Sequence, residues 1–130
     1  MLVLDTSILI DIEHNNKKVL SFLQDIYRDH PSYPAITFAT FSEFAFGALK
    51  QKKSWTAILT ELNKYQVLNS DTKSSILTAQ LKYQLEAKGK IIDDFDILIA
   101  ATVMVYKGTL ITRDAHFNNI KELSKIIIKN

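Results

Sequence analysis

The chain has no cysteine, three glycines and two prolines in 130 residues. Without thiols, disulfides and thiolate zinc sites are excluded, and nothing requires an oxidising compartment. So few glycines leave no Gly-rich phosphate loop or dinucleotide fingerprint, and no Gly-x-Ser-x-Gly elbow occurs. Histidine is equally scarce: His14, His30 and His116 stand far apart in no metal-ligand or nucleophile spacing, and read as surface or turn residues. No apolar run approaches the roughly 20 residues of a membrane-spanning helix. The amino terminus, "MLVLDTSILIDIEH", lacks the basic leader and cleavage site of a secretory signal, so the expectation is a cytoplasmic protein with no membrane partner.

What is present is apolar material: 47% of residues are hydrophobic, enough for the core of one domain spanning 1–130. Net charge is only +2, short of the footprint of a dedicated nucleic-acid binder. Lysines do gather, in "KQKK" (50–53) and from Lys121 to Lys129, which reads either as solvated surface or as a local basic patch.

Short continuous apolar runs, "LVL", "TLIT" (109–112) and "III" near the end, fit strands covered on both faces of a parallel sheet. Strands are expected near 2–4, 35–38, 66–68, 109–112 and 124–128. Helical spacing joins Val19, Phe22, Leu23 and Ile26, then Trp55, Ile58, Leu59 and Leu62, then Leu77, Leu81 and Leu85 after a capping Asp71. Gly89 and Gly108 stand where helices would stop. The alternation predicts an α/β domain with a mainly parallel sheet and helices on both faces.

In such sheets ligands gather beyond the carboxyl ends of the strands, and four acids fall there. Asp5 ends the first strand. Glu43 lies at the start of the helix after the second, Asp96 in the first turn of a helix expected over 94–107, and Asp114 just after "TLIT". Each has a structural reading: Asp5 as a helix cap, Glu43 as the partner of Thr40 in a capping box "TFSE", and Asp114 as the cap of a turn. Asp93 and Asp94 serve as cap and dipole partners of the 94–107 helix.

Asp96 resists such a reading, because Ile97 to Val105 leave no polar face and carry it inward. An unpaired buried carboxylate is costly or forced neutral. Arg113 or Lys107 could pair with it if it stood alone. If the four acids share a cleft, an all-oxygen set selects Mg²⁺ or Mn²⁺.

"VLDTSILID", "FSEFAFGAL", "DILIAATV" and "LITRDAHF", in that order, resemble the signatures of PIN-domain nucleases, and most of all the VapC-type toxins of prokaryotic toxin–antitoxin pairs. The resemblance implies a three-layer α/β/α fold with a five-stranded parallel sheet of order 3-2-1-4-5. It also implies an endoribonuclease acting on RNA with Mg²⁺ or Mn²⁺, a homodimer, and a cognate antitoxin. Carried over residue by residue, it makes Asp5, Glu43, Asp96 and Asp114 the metal-binding and catalytic set, with Thr6, Ser7 and Thr112 as adjoining polar positions. "DDFD" departs from the family's commoner form, which leaves Asp94 as an extra water-mediated ligand or a simple cap. Arg113 is a candidate phosphate contact or a plain surface residue.

Two rivals remain at this level. An aspartyl-nucleophile phosphatase of haloacid-dehalogenase type normally has a second aspartate two positions after the first, where this chain has Ser7. A non-catalytic RNA-binding domain could keep the fold, although all four acids are in place. Phe46 faces away from Ala45 and Ala48 on its helix and needs a cover, from the next helix or from a partner protein.

Overall fold

A computed structural model describes residues 1–129. Its strands are β1 (Leu2–Leu4), β2 (Ala35–Thr37), β3 (Gln66–Leu68), β4 (Thr109–Thr112) and β5 (Lys125–Ile127). All pair in parallel, in the order β3-β2-β1-β4-β5. The helices are α1 (Thr6–Glu13), α2 (Lys17–Asp29), α3 (Phe38–Lys50), α4 (Trp55–Leu62), α5 (Thr72–Ala87) and α6 (Asp94–Val105), with a 3-10 turn at Ala115–Asn119.

The period-2 geometry of the central strands sorts the core into two layers. Val3, Ala35 and Leu110 pack with Leu81 and Leu85 of α5 and with Ile99, Ala100 and Val103 of α6. Leu2, Leu4, Ile36 and Ile111 point the other way, against Ile8 and Leu9 of α1, Val19 and Leu23 of α2, Ala45 and Ala48 of α3, and Ile58 and Leu62 of α4. The expected α/β/α sandwich and strand order are therefore present. The edge strands are less covered than their apolar runs predict: β5 is half-buried throughout, and β3 is exposed at Gln66.

Several local expectations change. The strand foreseen over 35–38 stops at Thr37, because Phe38 already opens α3. The hydroxyl of Thr37 caps that helix by accepting from the Thr40 amide at 3.2 Å. The "TFSE" capping box is thus not formed; Thr40 is inside the helix, and Glu43 sits a turn further along than foreseen, free for other work.

α6 ends at Val105 rather than 107, and Lys107 (φ 56°) takes the left-handed position after it. Gly108 is required for closeness instead: a Cβ there would stand 3.0 Å from Val3 Cγ2 and 3.3 Å from the Met1 carbonyl. Gly89 (φ 69°) does follow α5 in the left-handed conformation, as a helix stop does. Phe46 is 64% exposed, so no neighbouring helix covers it; the Lys50 ammonium stands 5.3 Å from its ring centre.

Candidate active site

Parallel pairing puts the carboxyl ends of β1, β2 and β4 side by side. Leu4 pairs with Ile111, and the ladder runs one step further, with the Asp5 amide donating to the Ile111 carbonyl at 2.9 Å. Asp5 and Thr112 are thereby brought together at the end of the sheet. Although Asp5 occupies the N-cap position of α1, its carboxylate makes no cap hydrogen bond. It accepts instead from the Thr112 hydroxyl at 2.6 Å and the Ser7 hydroxyl at 3.2 Å, both through Oδ2.

Those two donors are themselves held. The Asp114 amide donates to Thr112 Oγ1 at 3.0 Å, and the Arg113 amide donates to Ser7 Oγ at 3.2 Å. Arg113 also pairs its guanidinium with Asp11 of α1 at 2.8 Å, both side chains being largely buried. The loop after β4 and the first turns of α1 are therefore laced around one oxygen of Asp5. The Thr112 and Ser7 side-chain hydrogen bonds to Asp5 both fall on that one oxygen.

Glu43 repeats this arrangement across the α1–α3 contact. Its Oε1 accepts from the Thr6 hydroxyl at 2.9 Å, which fixes the side chain and leaves Oε2 free. Asp114 caps the 3-10 turn as foreseen, with Oδ1 accepting from the His116 amide at 2.9 Å and contacting His116 Nδ1 at 2.8 Å. Its Oδ2 has no partner among the described residues.

Asp96, in the first turn of α6, has no hydrogen bond or ion pair on either oxygen among the described residues. Neither Arg113 nor Lys107 pairs with it: Arg113 is taken by Asp11, and Lys107 lies beyond the far end of α6. Burial is the main cause that pushes its pKa from the ordinary 3.8 up to about 7, and Asp5, Asp114, Asp93 and Glu43 add to the rise through their negative charge. Burial also raises Asp5, against the lowering effect of the Thr112, Thr6 and Ser7 hydrogen bonds, and it raises Glu43, against that of Thr6. Four acids from four segments of chain thus feel one another at one end of the sheet. Among the described residues, no three His, Asp or Glu side chains form a group that could hold a metal ion.

The remaining residues divide. Asp93 caps α6 through the Phe95 amide at 2.9 Å, as its position implies. Asp94 turns outward to Lys82 of α5 at 3.0 Å, where a groove lined by Leu85, Lys90, Ile92 and Ile97 opens on the α5–α6 side; it acts as a surface ion-pair partner. His14 and His30 are exposed, and His116 is exposed beside Asp114. Asp11 escaped the sequence reading. The signal was present in its place four residues after Ser7, on the same face of α1, but its partner lies 102 residues away.

The PIN domain family model matches residues 2–123. The chain belongs to the PIN-domain family. This PIN domain is 28% identical over 134 aligned residues to "Ribonuclease VapC2" of Rickettsia felis, an alignment covering 95% of this chain and 90% of that protein. It is similar in fold to a chain of the crystal structure of VapBC2 from Rickettsia felis bound to a DNA fragment from their promoter, with a TM-score of 0.82, 24% identity, and coverage of 97% of each chain. A toxin-antitoxin complex from Klebsiella pneumoniae contains a second such fold, with a TM-score of 0.75, 22% identity, and coverage of 98% of this PIN domain and all of that chain. At these identities the solved structures show shared architecture.

Proposed function

We propose that this PIN-domain protein is a divalent-metal-dependent endoribonuclease and the toxin of a type II toxin–antitoxin pair, acting as a homodimer. Asp5, Glu43, Asp96 and Asp114 would hold Mg²⁺ or Mn²⁺. The observation that carries the reading is Asp96. A half-buried carboxylate with no cation beside it is repelled by three other acids that arrive on separate elements, yet hydroxyls of Thr6, Ser7 and Thr112 lock two of those acids in place.

Structure held against its own repulsion is what a cation-binding site requires. The donor set is all oxygen, which suits a hard ion. Mg²⁺ usually keeps several of its waters and takes only one or two carboxylates directly. A bound divalent ion supplies charge neutralisation for a phosphodiester under attack and lowers the pKa of water.

The protein's own contribution is orientation. Thr112 and Ser7 hold Oδ2 of Asp5, Thr6 holds Oε1 of Glu43, and His116 holds Oδ1 of Asp114. Glu43 and Asp114 each keep one oxygen committed to the fold and one without a partner among the described residues, and Asp96 keeps both without one. With its pKa raised to about 7, Asp96 is only partly ionised near neutral pH, and a cation held there would draw out its full charge. The named VapC ribonuclease relative and the toxin-antitoxin complex support RNA as substrate and an antitoxin as partner.

The test incubates purified protein with total RNA and Mg²⁺ or Mn²⁺, with EDTA and Asp96→Asn as controls. Shortened RNA carrying 5′-phosphate and 3′-hydroxyl ends, lost in both controls, is the expected result. Intact RNA together with phosphate release from p-nitrophenyl phosphate would transfer the reading to an aspartyl-nucleophile phosphatase. Neither activity would leave a non-catalytic domain.

A further inference from the structure

One groove of the molecule holds none of the four acids yet is lined by the chain neighbours of one of them. It lies between the 3-10 turn and the end of β5, with a volume of about 590 Å³, and is lined by Arg113, Ala115, Asn118, Leu123, Lys125, Ile127, Ile128 and Lys129. That volume falls within the about 300–1,000 Å³ usual for ligand clefts. Two of its lining residues, Arg113 and Ala115, are the chain neighbours of Asp114 on either side.

Its charge is one-sided. Three of the lining residues are cations and none is an acid, although the chain as a whole carries 16 basic and 14 acidic residues. Lys125 is fixed rather than loose: its ammonium donates to the Ile120 carbonyl at 3.0 Å and the Leu123 carbonyl at 3.2 Å. An ammonium has three donors, so one remains for an anion. Arg113 is likewise anchored by Asp11 through Nη1 and retains further N–H groups. Lys129 is exposed at the mouth. Between these cations the floor is aliphatic, from Leu123, Ile127 and Ile128, and Asn118 offers an amide that can both donate and accept.

We propose that this groove is where the RNA strand lies on one side of the bond to be cut, with Lys125 and Lys129 binding phosphates and the aliphatic floor receiving a base or ribose. The inference rests on the nuclease reading and adds a substrate path to it. A polyanion approaching four carboxylates is repelled by them. Ordered cations beginning one residue from Asp114 offset that repulsion and set which way the strand runs. Backbone phosphate contacts of this kind position a strand without reading its sequence.

Lys125→Gln and, separately, Lys129→Glu test it. Binding of a fluorescent single-stranded RNA oligonucleotide is measured in EDTA across a salt series, and cleavage of the same oligonucleotide is measured in Mn²⁺. Each variant should weaken binding by about tenfold at low salt and reduce the slope of log affinity against log salt by roughly one. KM should rise while kcat at saturation stays near that of the parent. Lys125 also ties down two carbonyls, so its variant is checked by thermal melting; Lys129 makes no such contact among the described residues and carries the test if Lys125→Gln is unstable.

Unchanged binding and unchanged KM in Lys129→Glu, with the parent cutting RNA, overturn the groove and leave the nuclease reading intact. RNA bound through these lysines but never cut overturns the nuclease reading and leaves the groove. A parent that neither binds nor cuts RNA overturns both.

Discussion

Asp96→Asn removes a charge and little else, which makes it the sharpest probe of the cluster. In the wild type, a carboxyl whose folded pKa stands near 7 against an ordinary 3.8 binds more protons folded than unfolded between those values. Stability of the metal-free protein therefore falls as pH rises through that window, with the contribution fully favourable below about 3.8 and fully lost above about 7. The whole shift corresponds to roughly 4 kcal/mol, but Asp96 is half-buried and solvent screens it, so about 1–2 kcal/mol is the expected cost. Asparagine escapes that cost.

Melted in EDTA at pH 7.5, Asp96→Asn should be more stable than the parent by about 1–2 kcal/mol, or about 3–8 °C in a domain of this size. At pH 4.5 the difference should shrink towards zero. Adding Mg²⁺ at pH 7.5 should stabilise the parent by mass action and leave the variant nearly unmoved, so the order narrows or reverses. A variant less stable than the parent in EDTA at pH 7.5 would refute the reasoning, since it would mean that Asp96 is satisfied by something in the fold.

Three further outcomes follow from the hydrogen-bond network and the packing. Thr112→Val removes the 2.6 Å bond to Asp5 and the acceptor of the Asp114 amide, and should cost about 1.5–3 kcal/mol by denaturant melting, with a larger fall in cleavage than in RNA binding. Asp11→Asn releases Arg113 and should lower Mn²⁺ affinity or activity by about 10-fold while the far-ultraviolet circular dichroism is unchanged; full activity would show that the Asp11–Arg113 pair does not position the site. Gly108→Ala pushes a methyl to 3.0 Å from Val3 and should destabilise by about 1–3 kcal/mol, with activity per folded molecule retained.

The fold was legible because its signals are local or periodic. β1 and β4 appear as short apolar runs, α6 as a helix with no polar face, and the parallel order follows from strands alternating with helices. The limits of elements were less so. Thr37 rather than Thr40 caps α3 because β2 turns directly into the helix with no loop, and nothing in "AITFATFSE" distinguishes the two threonines.

At the candidate site, the positions of the acids were legible, Asp5 and Asp114 at strand ends and Asp96 in the first turn of an apolar helix. Their relation to one another was not. That Thr6 would reach Glu43, 37 residues away, or that Arg113 would prefer Asp11 to Asp96, depends on how α1 packs against α3 and the β4 loop. Of the two covers foreseen for Phe46, the next helix is not the one: the ring remains exposed within the chain against Lys50.

The central claim is that these carboxylates act together on one cation, and a Mn²⁺ titration followed by electron paramagnetic resonance reads it directly. The account predicts saturable binding to the wild type near neutral pH that is lost or greatly weakened in both Asp5→Asn and Asp96→Asn. Mn²⁺ bound equally by the wild type and both variants, or not bound at all, would contradict it.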